Sequence, residues 1–150
     1  MPRGLSGLII ALGLAFGLAV FPAWADSPVV RAIPHGELRT GPGGYLRVSA
    51  IGMPSFGATD ETTAREEARE HAVALAQRRL LMAILALPVG KSTVRERLEA
   101  APQARGRLRA LIARARVSGQ ELADGSAEVT LELPFSGPNG LSEFLAGLSQ

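Results

Sequence analysis

Leu46, Val48 and Ala50 alternate with Tyr45, Arg47 and Ser49, a period of two that predicts a strand buried on one face. Gly52, Pro54 and Gly57 end it and lead to Thr59 and Asp60, where the spacing changes. From there Ala64, Ala68, Ala72, Leu75, Ala76, Leu80, Ala83, Ile84 and Leu87 recur at three and four. This predicts a helix of about 26 residues, closed by Pro88, whose buried stripe is small at its start and large at its end. Thr63 with Glu66 is the expected capping box, and Asp60, Glu61, Glu66 and Glu67 suit the positive end of the helix dipole. Small side chains let such a helix lie close to a sheet.

A second capping signature, Thr93 with Glu96, opens a helical region carrying Val94, Leu98, Leu108, Leu111 and Ile112. Pro102 and Gly106 interrupt it, so two short helices are expected. Residues 113–122 then become extended, Asp124-Gly125 supplies a turn, and Ala127, Val129, Leu131, Leu133 and Phe135 alternate with Glu128, Thr130 and Glu132. Leu141 to Leu148 forms a last short helix. The implied fold is α+β, a two-layer sandwich with one long helix on a small antiparallel sheet in the order β-α-α-β-β-α. Upstream, prolines 28, 34 and 42 and glycines 36, 41, 43 and 44 break up residues 26–44, which read as a flexible leader with at most a short extended piece at Val29 to Ile33. The single domain is then 45–150.

The N-terminus has the composition of an export signal: Arg3, an apolar stretch from Leu5 to Phe21, and Ala23-Trp24-Ala25. Cleavage after Ala25 is expected, because small side chains fit the peptidase pockets at those two positions. Gly7, Gly13, Gly17 and Pro22 interrupt the stretch, which falls short of the roughly 20 apolar residues of a membrane span. No cysteine follows, so no lipid anchor is expected and the localisation implied is periplasmic.

Composition then narrows the function classes. The chain has 150 residues, 47% apolar, with no cysteine and a formal charge of +2. Since 17 of the 70 apolar residues fall in the first 25 positions, the mean hydropathy reflects the export signal more than the domain. Disorder, a disulfide scaffold and a thiolate zinc site are excluded. Gly90-Lys91-Ser92 resembles the end of a phosphate loop, but Leu85 stands where its first glycine belongs and a helix precedes it. Glu67 and His71 lie one turn apart, a spacing more often solvated than metal-bound, and His35 is remote in sequence. No serine sits in a G-x-S-x-G elbow, and Glu128 with Glu132 is better explained as the outer face of a strand than as a glycosidase pair. No cofactor and no enzymatic activity are expected.

Charge is distributed unevenly. Lys91 to Arg116 holds eight basic residues against Glu96 and Glu99, whereas residues 117–150 hold five acids and no base. With few aromatics and an exported location, nucleic acid is not the expected partner. Anionic lipid headgroups, an acidic protein face or the chain's own acidic hairpin are. Arg105, Arg107, Arg109, Arg114 and Arg116 are the candidate partner-binding residues, for an envelope protein or for self-association, with peripheral membrane contact allowed. The alternative is a small-ligand domain with a pocket between helix and sheet near Phe56 and Phe135.

Taken in order, Gly44-Tyr45-Leu46 to Gly52, the helix positions Ala64, Ala68, Arg69, Ala72, Ala76, Arg79 and Leu80, then Ala115-Arg116-Val117, Asp124-Gly125, Val129-Thr130-Leu131 and Gly137 to Leu141 resemble the LPP20-like family of bacterial envelope proteins. That family is similar to the N-terminal domain of flagellar assembly protein T. The resemblance implies a dodecin-like α+β domain without known enzymatic activity, working through protein-protein contacts in the envelope, with a flagellar-assembly role as a further option. Outer-membrane members carry a lipid-bearing cysteine after the signal, and this chain lacks one.

Overall fold

The computed structural model describes residues 29–58 and 60–149; the expected export signal up to Ala25 lies outside them. The chain is mixed α+β, with four helices and two antiparallel sheets among the described residues. Strands β1 (Val30–Ile33), β2 (Gly36–Arg39), β3 (Tyr45–Gly52), β6 (Arg116–Glu121) and β7 (Ala127–Pro134) form the larger sheet in the order β1-β2-β3-β7-β6. The smaller sheet pairs β4 (Pro88–Val89) with β5 (Ser92–Thr93). The helices are α1 (Glu61–Leu85), α2 (Val94–Ala100), α3 (Ala104–Ile112) and α4 (Leu141–Leu148).

The period-two positions fall where alternation places them. Leu46, Val48 and Ala50 of β3 and Val129, Leu131 and Leu133 of β7 are buried on one face. On the other face the register sets Arg47 opposite Glu132 and Ser49 opposite Thr130. The first pair closes an ion pair at 2.7 Å, and the two hydroxyls of the second lie 2.7 Å apart. The Glu132 carboxylate raises the Arg47 pKa above its ordinary value, and the guanidinium also lies 4.2 Å from the centre of the Tyr45 ring.

Helix α1 lies against β3 and β7 through its alanine stripe. Ala68, Ala72 and Ala76 are fully buried, then Leu80, Ala83 and Ile84, so the small-to-large gradient becomes a closely packed N-terminal half and a thicker apolar C-terminal half. Gly52 at the end of β3 shows how near the backbones come. A Cβ there would stand 2.1 Å from the Ala68 carbonyl oxygen and 2.3 Å from the Ala72 nitrogen.

Two expectations are corrected. The N-cap of α1 is Asp60, whose carboxylate accepts from the Thr63 backbone N–H and from the Thr63 hydroxyl; Thr63 is inside the helix. The Thr93–Glu96 box is formed as expected at α2. The extended piece expected at Val29 to Ile33 is β1, but the stretch around it is not a flexible leader: residues 30–39 form a hairpin that adds two strands to the sheet. Pro34 presets φ at the first turn position and His35 takes the second at φ 70°. Gly36 lets β2 close on β3, since a Cβ there would meet the Arg47 carbonyl oxygen at 2.5 Å. The hairpin is largely solvated, which is why its strands lack the apolar alternation that marks β3.

The Gly52 contact yields a direct expectation. Gly52→Ala destabilises the domain by about 3 kcal/mol, measured as a lowered urea midpoint, because two backbone atoms rather than a flexible side chain must move. An unchanged midpoint would mean that α1 does not approach β3 this closely.

Candidate functional site

The five candidate arginines are all exposed, but they do not form one cluster. Successive residues on a helix turn by about 100°, so positions four or seven apart share a flank and neighbours diverge. Arg107 and Arg114 face α4, where with Leu111, Asn139, Gly140 and Phe144 they line a hollow of about 210 Å³ that also contains Glu143. The Arg107 guanidinium lies beside Gly147 of α4, where a Cβ would stand 3.2 Å from it. Arg105 and Arg109 face the opposite way, toward α1 and α2. Arg116 lies on the edge strand β6, opposite a Glu132 that Arg47 already holds.

The flank of Arg105 and Arg109 is the more developed site. Its floor is apolar: Leu81 and Leu85 from the end of α1, Leu98 from α2, and Leu108 and Ile112 from α3, around a groove of about 310 Å³. Leu98 and Leu108 are each 4% exposed and recessed, whereas Leu81, Leu85 and Ile112 are half-buried. Arg95 joins Arg105 and Arg109 at the rim, with Glu99 as the one acid among them. Arg95, Leu81 and Leu85 were not among the sequence candidates. Arg95 was visible in the basic run, but the α1 leucines reach this place only through helix docking.

The electrostatics of this face are unfavourable at Arg105, whereas Arg109 lies in the last turn of α3, at the negative end of its dipole. Helix α3 has no side-chain N-cap and no acid in its first turn, and Arg105 occupies that turn at the positive end of the dipole. Arg105 and Arg109 are like charges four apart. Among the described residues, neither of these, nor Arg95, Arg107, Arg114 or Arg116, makes a side-chain hydrogen bond or ion pair. The acids of residues 117–150 are, by contrast, engaged. Glu121 lies 3.6 Å from Arg65 of α1, Glu128 accepts from Gln120 at 2.8 Å, and Glu143 accepts from the Asn139 backbone N–H at 2.5 Å. Asp124 accepts from the Ser126 hydroxyl and backbone N–H, which lowers its pKa below the ordinary value. Within one chain, then, the arginine segment is not paired with the acidic hairpin.

The remaining chemical candidates occupy structural positions. Gly90, at φ 64°, turns the β4–β5 hairpin, so Lys91 and Ser92 belong to a tight turn before α2 and not to a loop between a strand and a helix. Glu67 and His71 share a shallow hollow with Ser55, whose hydroxyl donates to the Glu67 carboxylate. No group of three His, Cys, Asp or Glu suited to a metal ion occurs among the described residues. The space between α1 and the sheet is filled by the buried alanines. Phe56 projects fully into solvent and Phe135 packs against the core from the side, so the two do not frame a shared pocket there. No described helix is long and apolar enough to cross a membrane.

Comparison with protein-family models, with curated proteins and with solved structures returned no match.

If the rim arginines make no stabilising contact, their removal costs nothing. Arg105→Gln is expected to raise stability by about 0.3 kcal/mol in urea unfolding, by relieving the clash with the dipole and with Arg109. A loss of more than about 1 kcal/mol would show that Arg105 has an intramolecular partner.

Proposed function

We propose that this chain is a non-enzymatic, exported domain of the bacterial cell envelope that works by docking a protein partner on its α2–α3 face. The observation that carries the reading is the uncompensated charge there. Arg105, at the positive end of the α3 dipole, one turn from the like charge of Arg109 and without a hydrogen bond or ion pair while the acids of residues 117–150 are engaged, does not serve the stability of the isolated domain. The face suits an anionic partner, whose arrival would relieve the unfavourable terms at Arg105. The export-type N-terminus and the LPP20-like resemblance support the envelope location, with periplasmic residence after cleavage at Ala25. In this reading the α1–sheet arrangement is of the dodecin-like, two-layer kind.

A second reading, binding of a small anionic ligand, draws on the 210 Å³ hollow between α3 and α4, where Arg107 and Arg114 could meet a carboxylate or phosphate. Glu143 in the same hollow opposes it, so protein docking is the reading adopted.

Photo-cross-linking in intact cells tests this. A cross-linking side chain at position 109 should give a discrete adduct with another envelope protein, and one at Thr130 on the outer face of the sheet should not. Recovery of the 109 variant as a free monomer, with no adduct, would sink the reading.

A further inference from the structure

Building on that reading, we infer that the groove between α1, α2 and α3 receives an acidic amphipathic helix of a partner protein, apolar face down and carboxylates against Arg95, Arg105 and Arg109. Three features of the groove choose this occupant. Its floor is recessed: Leu98 and Leu108 lie below the arginines, so a ligand must send side chains downward to reach them. A helix does this with residues spaced three and four apart, which present a row of apolar side chains along one face. The rim is cationic, and a helix with carboxylates flanking its apolar stripe would pair with it as the floor is covered.

The third feature is the mixed sign of the rim. Glu99 sits among the arginines, so a uniformly anionic surface meets repulsion at that point, whereas a patterned sequence can place a neutral or basic residue there. This separates a protein helix from a bilayer, which offers a flat and uniformly negative face. A second copy of the chain is a poor occupant: the acids of its residues 117–150 are held by Arg65, Gln120, Ser126, Arg47 and the Asn139 backbone, and the exposed Glu66 and Glu70 lie on α1, whose apolar stripe is already buried against its own sheet. The groove is also short. The nine residues of α3 rise about 13 Å, enough to hold two or three turns of a partner helix and the two or three large side chains that a 310 Å³ hollow admits.

The test uses the full chain and a fluorescein-labelled 14-residue peptide with leucines at i, i+3, i+4, i+7 and i+11 and glutamates at most other positions. A control peptide has the same composition with its leucines scattered. In anisotropy titrations the patterned peptide should bind at micromolar concentration and at least tenfold more tightly than the control. Arg105→Glu/Arg109→Glu should weaken it at least tenfold. Leu81→Trp, which fills the hollow from a half-exposed position while leaving every arginine in place, should also weaken it at least tenfold.

Equal binding of both peptides, lost on charge reversal and indifferent to Leu81→Trp, would overturn the groove while leaving an anionic partner on this face. Binding of neither peptide by the wild-type chain would overturn both. Sedimentation with phosphatidylglycerol vesicles, abolished by Arg105→Glu/Arg109→Glu and without peptide binding, would assign the face to lipid instead. A dimer in light scattering that this charge reversal dissociates would assign it to a second copy. Either of these last results overturns the proposal.

Discussion

The closeness of α1 to β3 governs the rest of the architecture. Alanines at positions 68, 72 and 76 bury little apolar area each, so they are weak contributors to the hydrophobic effect. Their value is geometric. Together with Gly52 they let the N-terminal half of a long helix approach the sheet to backbone distance. The C-terminal half, with Leu80, Ala83 and Ile84, then has room for larger partners, and the leucines of β3, β7 and α4 fill it. Because α1 is 25 residues long, its last turn extends to the region where α2 and α3 pack. The groove is built there, with Leu81 and Leu85 half-buried at the margin of the core.

The two sides of the molecule handle charge in opposite ways. On the outer face of the sheet, strand register pairs the central polar groups: Arg47 against Glu132, Ser49 against Thr130, Tyr45 donating to Glu37 at 3.0 Å, while Arg39 and Arg116 toward the edges make no such pair. Such exposed pairs are each worth little, but they leave the centre of that surface internally satisfied. The α2–α3 face has the reverse character. Its arginines close no hydrogen bond or ion pair, and α3 bears Arg105 in its first turn at some cost to its own stability. A surface that is satisfied has little to offer a charged partner, and one that is not has much to gain. This contrast, more than net charge, is the ground for proposing the α2–α3 face as the one that meets a partner.

Much of this was legible in the sequence. Period-two alternation located β3 and β7, the three-four spacing located α1 and its gradient, and Thr93–Glu96 located the start of α2, because in each case local chemistry and tertiary burial agree. Of the β1–β2 hairpin only the extended piece at Val29 to Ile33 was legible; β2 and the pairing were not, because both faces are partly wet and no alternation records them. Its order comes from pairing with β3 and from a turn whose Pro34, His35 and Gly36 look like linker composition. The α1 cap was placed three residues late, since Asp60 and Thr63 are both competent caps and only the path of the preceding loop decides between them. At the site, the basic run was visible but its division was not. Linear order groups Arg105, Arg107 and Arg109, whereas helical geometry sends the middle one to α4 and the outer two to the groove. The apolar floor could not be read locally, because its leucines come from three helices brought together only by folding.

The central claim is that recognition uses the apolar floor and the arginine rim together. Methyl NMR of the full chain, titrated with the patterned leucine and glutamate peptide, tests this most directly. The account predicts that the methyls of Leu81, Leu85, Leu98, Leu108 and Ile112 shift together, while those of Val48, Val129 and Leu131 in the helix–sheet core remain still. Shifts confined to the edge-strand methyls of Val117, or an unmoved set of groove methyls at saturating peptide, would contradict it.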